Sequence, residues 1–213
     1  MFIVDYCHEF SLKDKINSLE KDVHRRKKLP NHLTVLLGQE NPSYNDLANI
    51  VVWCMLNHIK FLSFYDHKGQ LCKHSLEKSL TPKLCKGDHI LWHEVSCLNQ
   101  KNGFVGRKIH IKLISPEKEG RMALVNLTGR LANQKEEITF SVEQIDQSLY
   151  KYFEFPDPEM GLHCGQNLNF FAYPPWQMAL TEFLNIKTHH KLSYNRFLKK
   201  LSIYSKCEQR KGK

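Results

Sequence analysis

The sequence predicts an α/β protein of one domain, with a mainly parallel central sheet flanked by helices. Segments of strand length alternate with segments of helical periodicity, which is the pattern of a sheet covered by helices. The strand-length segments are mostly apolar throughout, as strands buried on both faces are. The chain shows no internal repeat, and its 213 residues, 41% of them hydrophobic, suit a single core.

A strand, a helix and a second strand are predicted between residues 30 and 66. His32–Leu37 is an apolar run after Pro30, a residue that can mark the start of a strand. Ser43 with Asp46 three residues later resembles a helix-capping box. The helix that follows places six side chains on one face: Leu47, Ile50, Val51, Cys54, Met55 and His58. Phe61–Tyr65 predicts the second strand, so we expect a right-handed parallel crossover.

The rest of the chain continues this alternation. Residues 70–105 are mixed in pattern and predict no element. Lys108–Ser115 alternates with period two and Met122–Leu127 is a short apolar run, so both are predicted to be strands. Ser141 and Ser193 each precede apolar residues at helical spacing, so both are predicted to begin helices.

A charged N-terminal segment, residues 1–28, is set apart from the domain at 29–213. Its apolar residues recur at intervals of three and four and predict a surface helix: Leu12, Ile16, Leu19 and Val23. No run reaches the roughly 18 apolar residues that indicate a membrane span. Met1–Phe10 contains acidic residues where a signal peptide is basic and then apolar. We therefore expect a soluble or membrane-peripheral chain.

The net charge of +9, with histidines neutral, favours a polyanionic partner. Nucleic acid, an anionic membrane and a diphosphate substrate all fit, but the basic clusters lack interleaved aromatic residues, which argues against nucleic acid. Seven cysteines, an odd number without a CxxC pair, indicate a reducing compartment. Cys85, His89, His93 and Cys97 recur at every fourth residue and could be metal ligands. At that spacing successive side chains rotate around a helix and do not face one ion, so we predict no metal site there.

Ligands of parallel sheets bind where the strands end. This rule directs attention to Gly38, Asp66, the loop after Leu127, and His163. His163 is either a ligand-binding residue or a strand-end histidine without a ligand.

Five stretches carry a resemblance to a known family. They are Pro30–Gly38, Val51–Met55 (VVWCM), Tyr65–His67 (YDH), Pro174–Gln177 (PPWQ) and the terminal Arg210–Gly212. From residue 29 onward the chain resembles the cis-prenyltransferases, which include the undecaprenyl and dehydrodolichyl diphosphate synthases. Within that family it is most similar to the Nogo-B-receptor branch.

The resemblance implies a reaction that this chain does not perform alone. The family condenses isopentenyl diphosphate onto an allylic diphosphate, with magnesium offsetting the diphosphate charge. Gly38 stands where active members have a magnesium-binding Asp, and Gln39–Pro42 replaces their Gly-rich, Arg-bearing phosphate loop. His163 stands in place of an Arg, and an imidazole cannot give a bidentate fork.

Arg210 and Gly212 are the site residues that the resemblance implies. In this branch the pair reaches into the active site of a catalytic dehydrodolichyl diphosphate synthase subunit and helps to bind isopentenyl diphosphate. The partner would hold the Mg²⁺. The complex would support dolichol synthesis for protein glycosylation at the cytosolic face of the endoplasmic reticulum membrane.

Three alternatives stay open. The chain is either such a non-catalytic subunit or an interaction protein that keeps the fold without a role in prenyl transfer. The aromatic segment Asn169–Leu184 supplies either interface anchors or core. Gly129 and Arg130 resemble a Gly-Gly-Arg motif of active synthases and are either a remnant without a role or a site.

Overall fold

The computed structural model describes residues 28–93, 106–133 and 141–208. The strands are β1 His32–Leu36, β2 Phe61–Tyr65, β3 His89–His93, β4 Lys108–Ile114, β5 Met160–Cys164 and β6 Glu182–Lys187. The helices are α1 Tyr44–Leu56, α2 Lys73–Leu80, α3 Arg121–Ala132, α4 Val142–Phe153 and α5 Tyr194–Tyr204. The predicted N-terminal helix lies outside the described residues, apart from Lys28.

The strands form one sheet in the order β3-β4-β2-β1-β5-β6. Every neighbouring pair is parallel, as the sequence predicted. In the first unit, β1 pairs with β2 from His32 opposite Phe61 to Leu36 opposite Tyr65. Because all strands run the same way, their carboxyl ends meet at one edge of the sheet.

The main core lies between the sheet and helices α1 and α5. All five residues of β1 are buried, so its apolar residues pack on both faces of the sheet. Its two polar residues, His32 and Thr34, are hydrogen-bonded to Ser63. The predicted inner face of α1 is confirmed, with side chains 0 to 2% exposed: Leu47, Ile50, Val51, Cys54 and Met55. His58 was wrongly placed on that face, because the helix ends at Leu56 and His58 is exposed with φ at 57°.

Two of the three predicted caps are confirmed. Ser141 accepts a hydrogen bond from the backbone N–H of Gln144 in a capping box, and Ser193 accepts one from Arg196. Ser43 precedes α1 but makes no such bond. Its hydroxyl donates instead to the Asp46 carboxylate, at 2.6 Å.

The prediction of a strand at Met122–Leu127 is wrong, because this run lies in helix α3. Ala123 and Leu127, four residues apart, are buried, whereas Met122 and Val125 are 45% and 51% exposed. That is helical spacing, and an apolar run of six residues fits a helix as well as a strand.

Two site expectations change with that assignment. The position after Leu127 is the interior of a helix instead of a strand-end loop. Gly129 and Arg130 are both exposed on this helix. No helix within the described ranges is long and apolar enough to cross a membrane.

Candidate functional site

Four loops meet at the carboxyl edge of the sheet, after β1, β2, β5 and β6. The backbone N–H of Leu37 donates to the Tyr65 carbonyl at 3.0 Å and joins the first two loops. Gly38 adopts a left-handed backbone, with φ at 60°. A Cβ atom there would lie 3.1 Å from the Cys164 carbonyl oxygen, so a side chain would be strained and crowded. The structure thus places Gly38 beside the end of β5.

The loop after β1 places a carboxylate at this edge and binds it internally. Glu40 Oε2 lies 2.6 Å from His189 Nδ1 and accepts the His189 backbone N–H at 3.1 Å. The His189 side chain is fully buried. Its Nε2 accepts the backbone N–H of Ser43 at 3.0 Å. The neutral ring therefore carries its proton on Nδ1 and donates it to Glu40.

The charges of this pair follow from its surroundings. Burial would raise the pKa of Glu40, but hydrogen bonds from Thr188 and His189 outweigh burial and leave that pKa lowered. Burial lowers the pKa of His189, although Glu40 opposes that shift. The pair is thus an ionised carboxylate beside a neutral imidazole. An incoming diphosphate would meet a negative charge here.

Glu40, His189 and His190 are also close enough to suggest a cation site, with ligand atoms within 4.8 Å of one another. The hydrogen bonds argue against it. His189 Nδ1 is protonated as long as Nε2 accepts from Ser43, so it offers no lone pair to a metal. His190 Nε2 lies 3.1 Å from the Asn41 carbonyl, to which the ring must donate.

Mg²⁺ binds carboxylate oxygens in an octahedral shell. The two acidic residues of these loops, Glu40 and Asp66, do not fit such a shell, because protein donors already hold their carboxylates. Asp66 is 1% exposed. Its two oxygens accept the backbone N–H groups of Lys68, at 3.0 Å, and Gln70, at 2.7 Å. Asp66 therefore closes the turn after β2, and Glu40 is held by His189.

His163 lies at the end of β5, as predicted, and is 6% exposed. The side-chain amide of Asn185 lies 3.2 Å from its Nδ1. Burial lowers the pKa of His163, and the charge of Lys200 contributes in the same direction. A neutral imidazole with this partner does not replace a guanidinium at a phosphate.

The aromatic segment after β5 is largely core. Tyr173 is 2% exposed, and its hydroxyl donates to Thr34 Oγ1 at 3.2 Å. Its ring meets Tyr65 edge to face, with centroids 5.2 Å apart. Three half-buried residues pack against the same cluster: Phe170, Phe171 and Met178.

Arg210 and Gly212 lie outside the described residues, which end at Glu208. The Glu40–His189 contact joins positions 149 residues apart and was not predicted from the sequence. The available signal was the adjacent pair His189-His190.

Comparison with known proteins assigns this architecture to a class. No protein-family model matches the chain. A probable undecaprenyl diphosphate synthase from Campylobacter jejuni has a similar structure, with a TM-score of 0.54 over 86% of this chain and 98% of that chain, at 14% identity. The fold is therefore that of the cis-prenyltransferases.

Sequence relatives identify the branch. The dehydrodolichyl diphosphate synthase complex subunit Nus1 of Mus musculus is 31% identical over an alignment 206 residues long that covers 90% of this chain and 69% of the mouse protein. The Homo sapiens subunit NUS1 is 29% identical over an alignment 201 residues long that covers 87% of this chain and 68% of the human protein. The chain belongs to the family of Nus1 subunits of the dehydrodolichyl diphosphate synthase complex.

Proposed function

We propose that this chain is the non-catalytic subunit of a dehydrodolichyl diphosphate synthase complex. It pairs with a catalytic subunit and completes the isopentenyl diphosphate site of that subunit through Arg210 and Gly212. It is inactive alone. The complex supports dolichol synthesis for protein glycosylation.

The observation that carries this proposal is the Glu40–His189 contact at the sheet edge. It puts a carboxylate, held at 2.6 Å by a neutral imidazole, in the loop after β1. Gly38 brings no carboxylate for a metal, and the Asp66 carboxylate is engaged by backbone donors. The carboxylates of these loops are engaged by protein donors and do not fit Mg²⁺, so we assign the metal and the chemistry to the partner.

The terminal residues supply what those loops lack. The Arg210 guanidinium can give two parallel hydrogen bonds to a phosphate. Gly212 lets the backbone turn so that its N–H faces a phosphate oxygen. From Glu208, four residues extend at most about 14 Å, so the partner's site must lie close to the end of α5.

Location follows from the partner and the product. Dolichol precursors are long hydrocarbons, so we place the complex at the cytosolic face of the endoplasmic reticulum membrane. The partner and the product can hold the chain at that membrane.

The test is prenyl transfer from farnesyl diphosphate and labelled isopentenyl diphosphate. The assays contain this chain alone, the catalytic subunit alone, both together, and both with Gly212→Ala. We expect product mainly from the mixture, and a loss of about tenfold or more with Gly212→Ala, which corresponds to one charge-assisted hydrogen bond.

The matched control is Gly129→Ala, since that glycine is exposed and a Cβ atom there meets nothing within 4 Å. It should leave activity unchanged. Co-purification checks that each variant still binds the catalytic subunit. A mixture that binds yet makes no more product than the catalytic subunit alone would favour the interaction-protein function instead.

A further inference from the structure

A groove lies between β6, at the edge of the sheet, and helix α5. Its volume is about 480 Å³. It is lined by apolar residues, which include Leu192 and Ile203. It is also lined by four cationic residues: Lys187, Arg196, Lys199 and Lys200. We call it the β6–α5 groove. It shares Asn185 with the surroundings of His163 but contains neither Glu40 nor His189.

The positive charge of the groove is unbalanced. No acidic residue lines it, and none of its four cations forms an ion pair within the described ranges. Arg196, Lys199 and Lys200 lie three and four residues apart on α5, so they share one face of the helix. Like charges held together repel one another, and a bound anion relieves that repulsion.

The fourth cation is held by a strained backbone. Lys187 has φ at 63°, in the left-handed region. Asn185 maintains it, because its Oδ1 accepts the Lys187 N–H at 3.0 Å and its side-chain amide donates to the Gly165 carbonyl. The Gly165 N–H in turn donates to the Lys187 carbonyl at 2.6 Å. Backbone strain of this kind is concentrated at functional sites.

The groove is also partly apolar. Leu192 and Ile186 are each 5% exposed at its base, whereas Ile203 is 46% exposed at its rim. A phosphate ion without a hydrocarbon chain would need only the cations for binding. Cations beside exposed hydrocarbon suit a ligand that has both a charged group and a chain.

We propose that the β6–α5 groove binds the phosphate headgroup of a lipid. The four cations contact the phosphate, and the hydrocarbon chain lies against Leu192 and Ile203. The proposal does not rest on the role of Arg210 and Gly212. It gives this chain a lipid contact built from its own residues.

Vesicle co-sedimentation of the full chain tests the proposal. The vesicles contain phosphatidylcholine alone, with phosphatidic acid, or with oleic acid, which supplies negative charge without a further phosphate. We expect binding to phosphatidic acid vesicles only. The triple variant Arg196→Gln, Lys199→Gln, Lys200→Gln should weaken it about a hundredfold, at roughly fivefold for each cation. Its control removes three exposed lysines elsewhere: Lys78→Gln, Lys86→Gln, Lys118→Gln.

Two further measurements separate the sources of the phosphate. Soluble glycerol phosphate should compete only weakly, and Ile203→Ser should weaken vesicle binding severalfold. Strong competition by glycerol phosphate would show that the groove binds a free phosphate compound, and it would overturn the proposal that the ligand is a lipid. Gly212→Ala should bind vesicles normally, so failure of this site and failure of the proposed function are distinguishable.

Three other results would overturn the proposal. If the control triple variant lost as much binding as the groove variant, the attraction would come from the overall charge. Equal binding to oleic acid vesicles would show that the groove recognises negative charge and not a phosphate group. Loss of vesicle binding when the catalytic subunit is added would assign the groove to the subunit interface.

Discussion

The fully buried side chain of His189 makes two hydrogen bonds at the carboxyl edge of the sheet. One goes to Glu40 and the other comes from Ser43, so a single imidazole ties the loop after β6 to the loop after β1. Cys164 Sγ lies 3.7 Å from His189 Nδ1, the ring nitrogen that faces Glu40. This contact connects the two loops to β5. A loop fixed at these points cannot open around a phosphate without breaking buried hydrogen bonds.

Replacement of Glu40 tests how much these bonds contribute to stability. Glu40→Ala removes the acceptor of two N–H groups of His189, one of them on a buried ring. We expect a loss of about 1 to 3 kcal/mol in the free energy of unfolding, the usual cost of a buried donor left without a partner. Urea denaturation of the full chain measures it.

Glu40→Gln is the matched variant, because its side-chain oxygen still accepts from His189 while the negative charge is gone. It should cost clearly less than Glu40→Ala. Equal losses would show that charge, and not the hydrogen-bond acceptor, holds the two loops together.

At the scale of elements, the sequence was informative wherever one element had a strong pattern. α1 and β1 were predicted because their apolar residues face a core that buries them almost completely. α3 was predicted as a strand because only its apolar stretch was considered, while its exposed Gly129 and Arg130 were taken for a loop. α2 has eight residues with only Leu76 and Leu80 buried, too few to reveal a period.

The candidate site was less predictable than the fold. The sheet rule led to Gly38, Asp66 and His163, and the structure places each of them at the end of a strand. The Glu40–His189 contact depends on β6 lying next to β5, and β6 is a half-buried edge strand without a clear alternation. Only the three-dimensional arrangement brings such distant residues together.

Two glycines give opposite predictions for the elements that contain them. Gly129→Ala in the exposed interior of α3 should stabilise by about 0.5 to 1 kcal/mol, the difference in helix propensity. Gly161→Ala in β5 should destabilise by about 1 to 3 kcal/mol, the usual cost of overpacking. A Cβ atom at Gly161 would lie only 2.3 Å from the Phe183 ring on β6. Chemical denaturation measures both.

The cause of the second effect is checked by a second substitution. Phe183→Leu removes the ring that the new methyl group meets, so the double variant with Gly161→Ala should be more stable than the sum of the single changes predicts. Simple additivity would mean that the methyl group is accommodated elsewhere.

At the scale of the whole molecule, acid is expected to destabilise the fold through its histidines. Burial lowers the pKa of His32 to about 3 and that of His110 to about 4. His93 shifts in the same direction, also through burial first. These side chains are neutral when folded and take up protons near pH 6.5 when unfolded.

The sign follows from proton linkage. Below pH 6.5 the unfolded chain binds more protons at these histidines than the folded chain, so stability falls as the pH falls toward the folded pKa values. Asp157 opposes this, because burial raises its pKa to about 6 and the folded chain then holds the extra proton. The net pH dependence is thus a balance, and single variants separate its parts.

His32 gives the sharpest test, because its ring is enclosed, with Nδ1 2.6 Å from the Pro156 carbonyl and Nε2 2.8 Å from Ser63 Oγ. Between pH 6 and pH 4 it should contribute a slope of up to about 1.4 kcal/mol per pH unit to the free energy of unfolding. His32→Gln should remove that slope whatever it does to absolute stability, whereas His74→Gln, at an exposed position, should not. Urea denaturation across this pH range measures the slopes. An unchanged slope in His32→Gln would mean that His32 is protonated in the folded protein and that its enclosure does not keep the ring neutral.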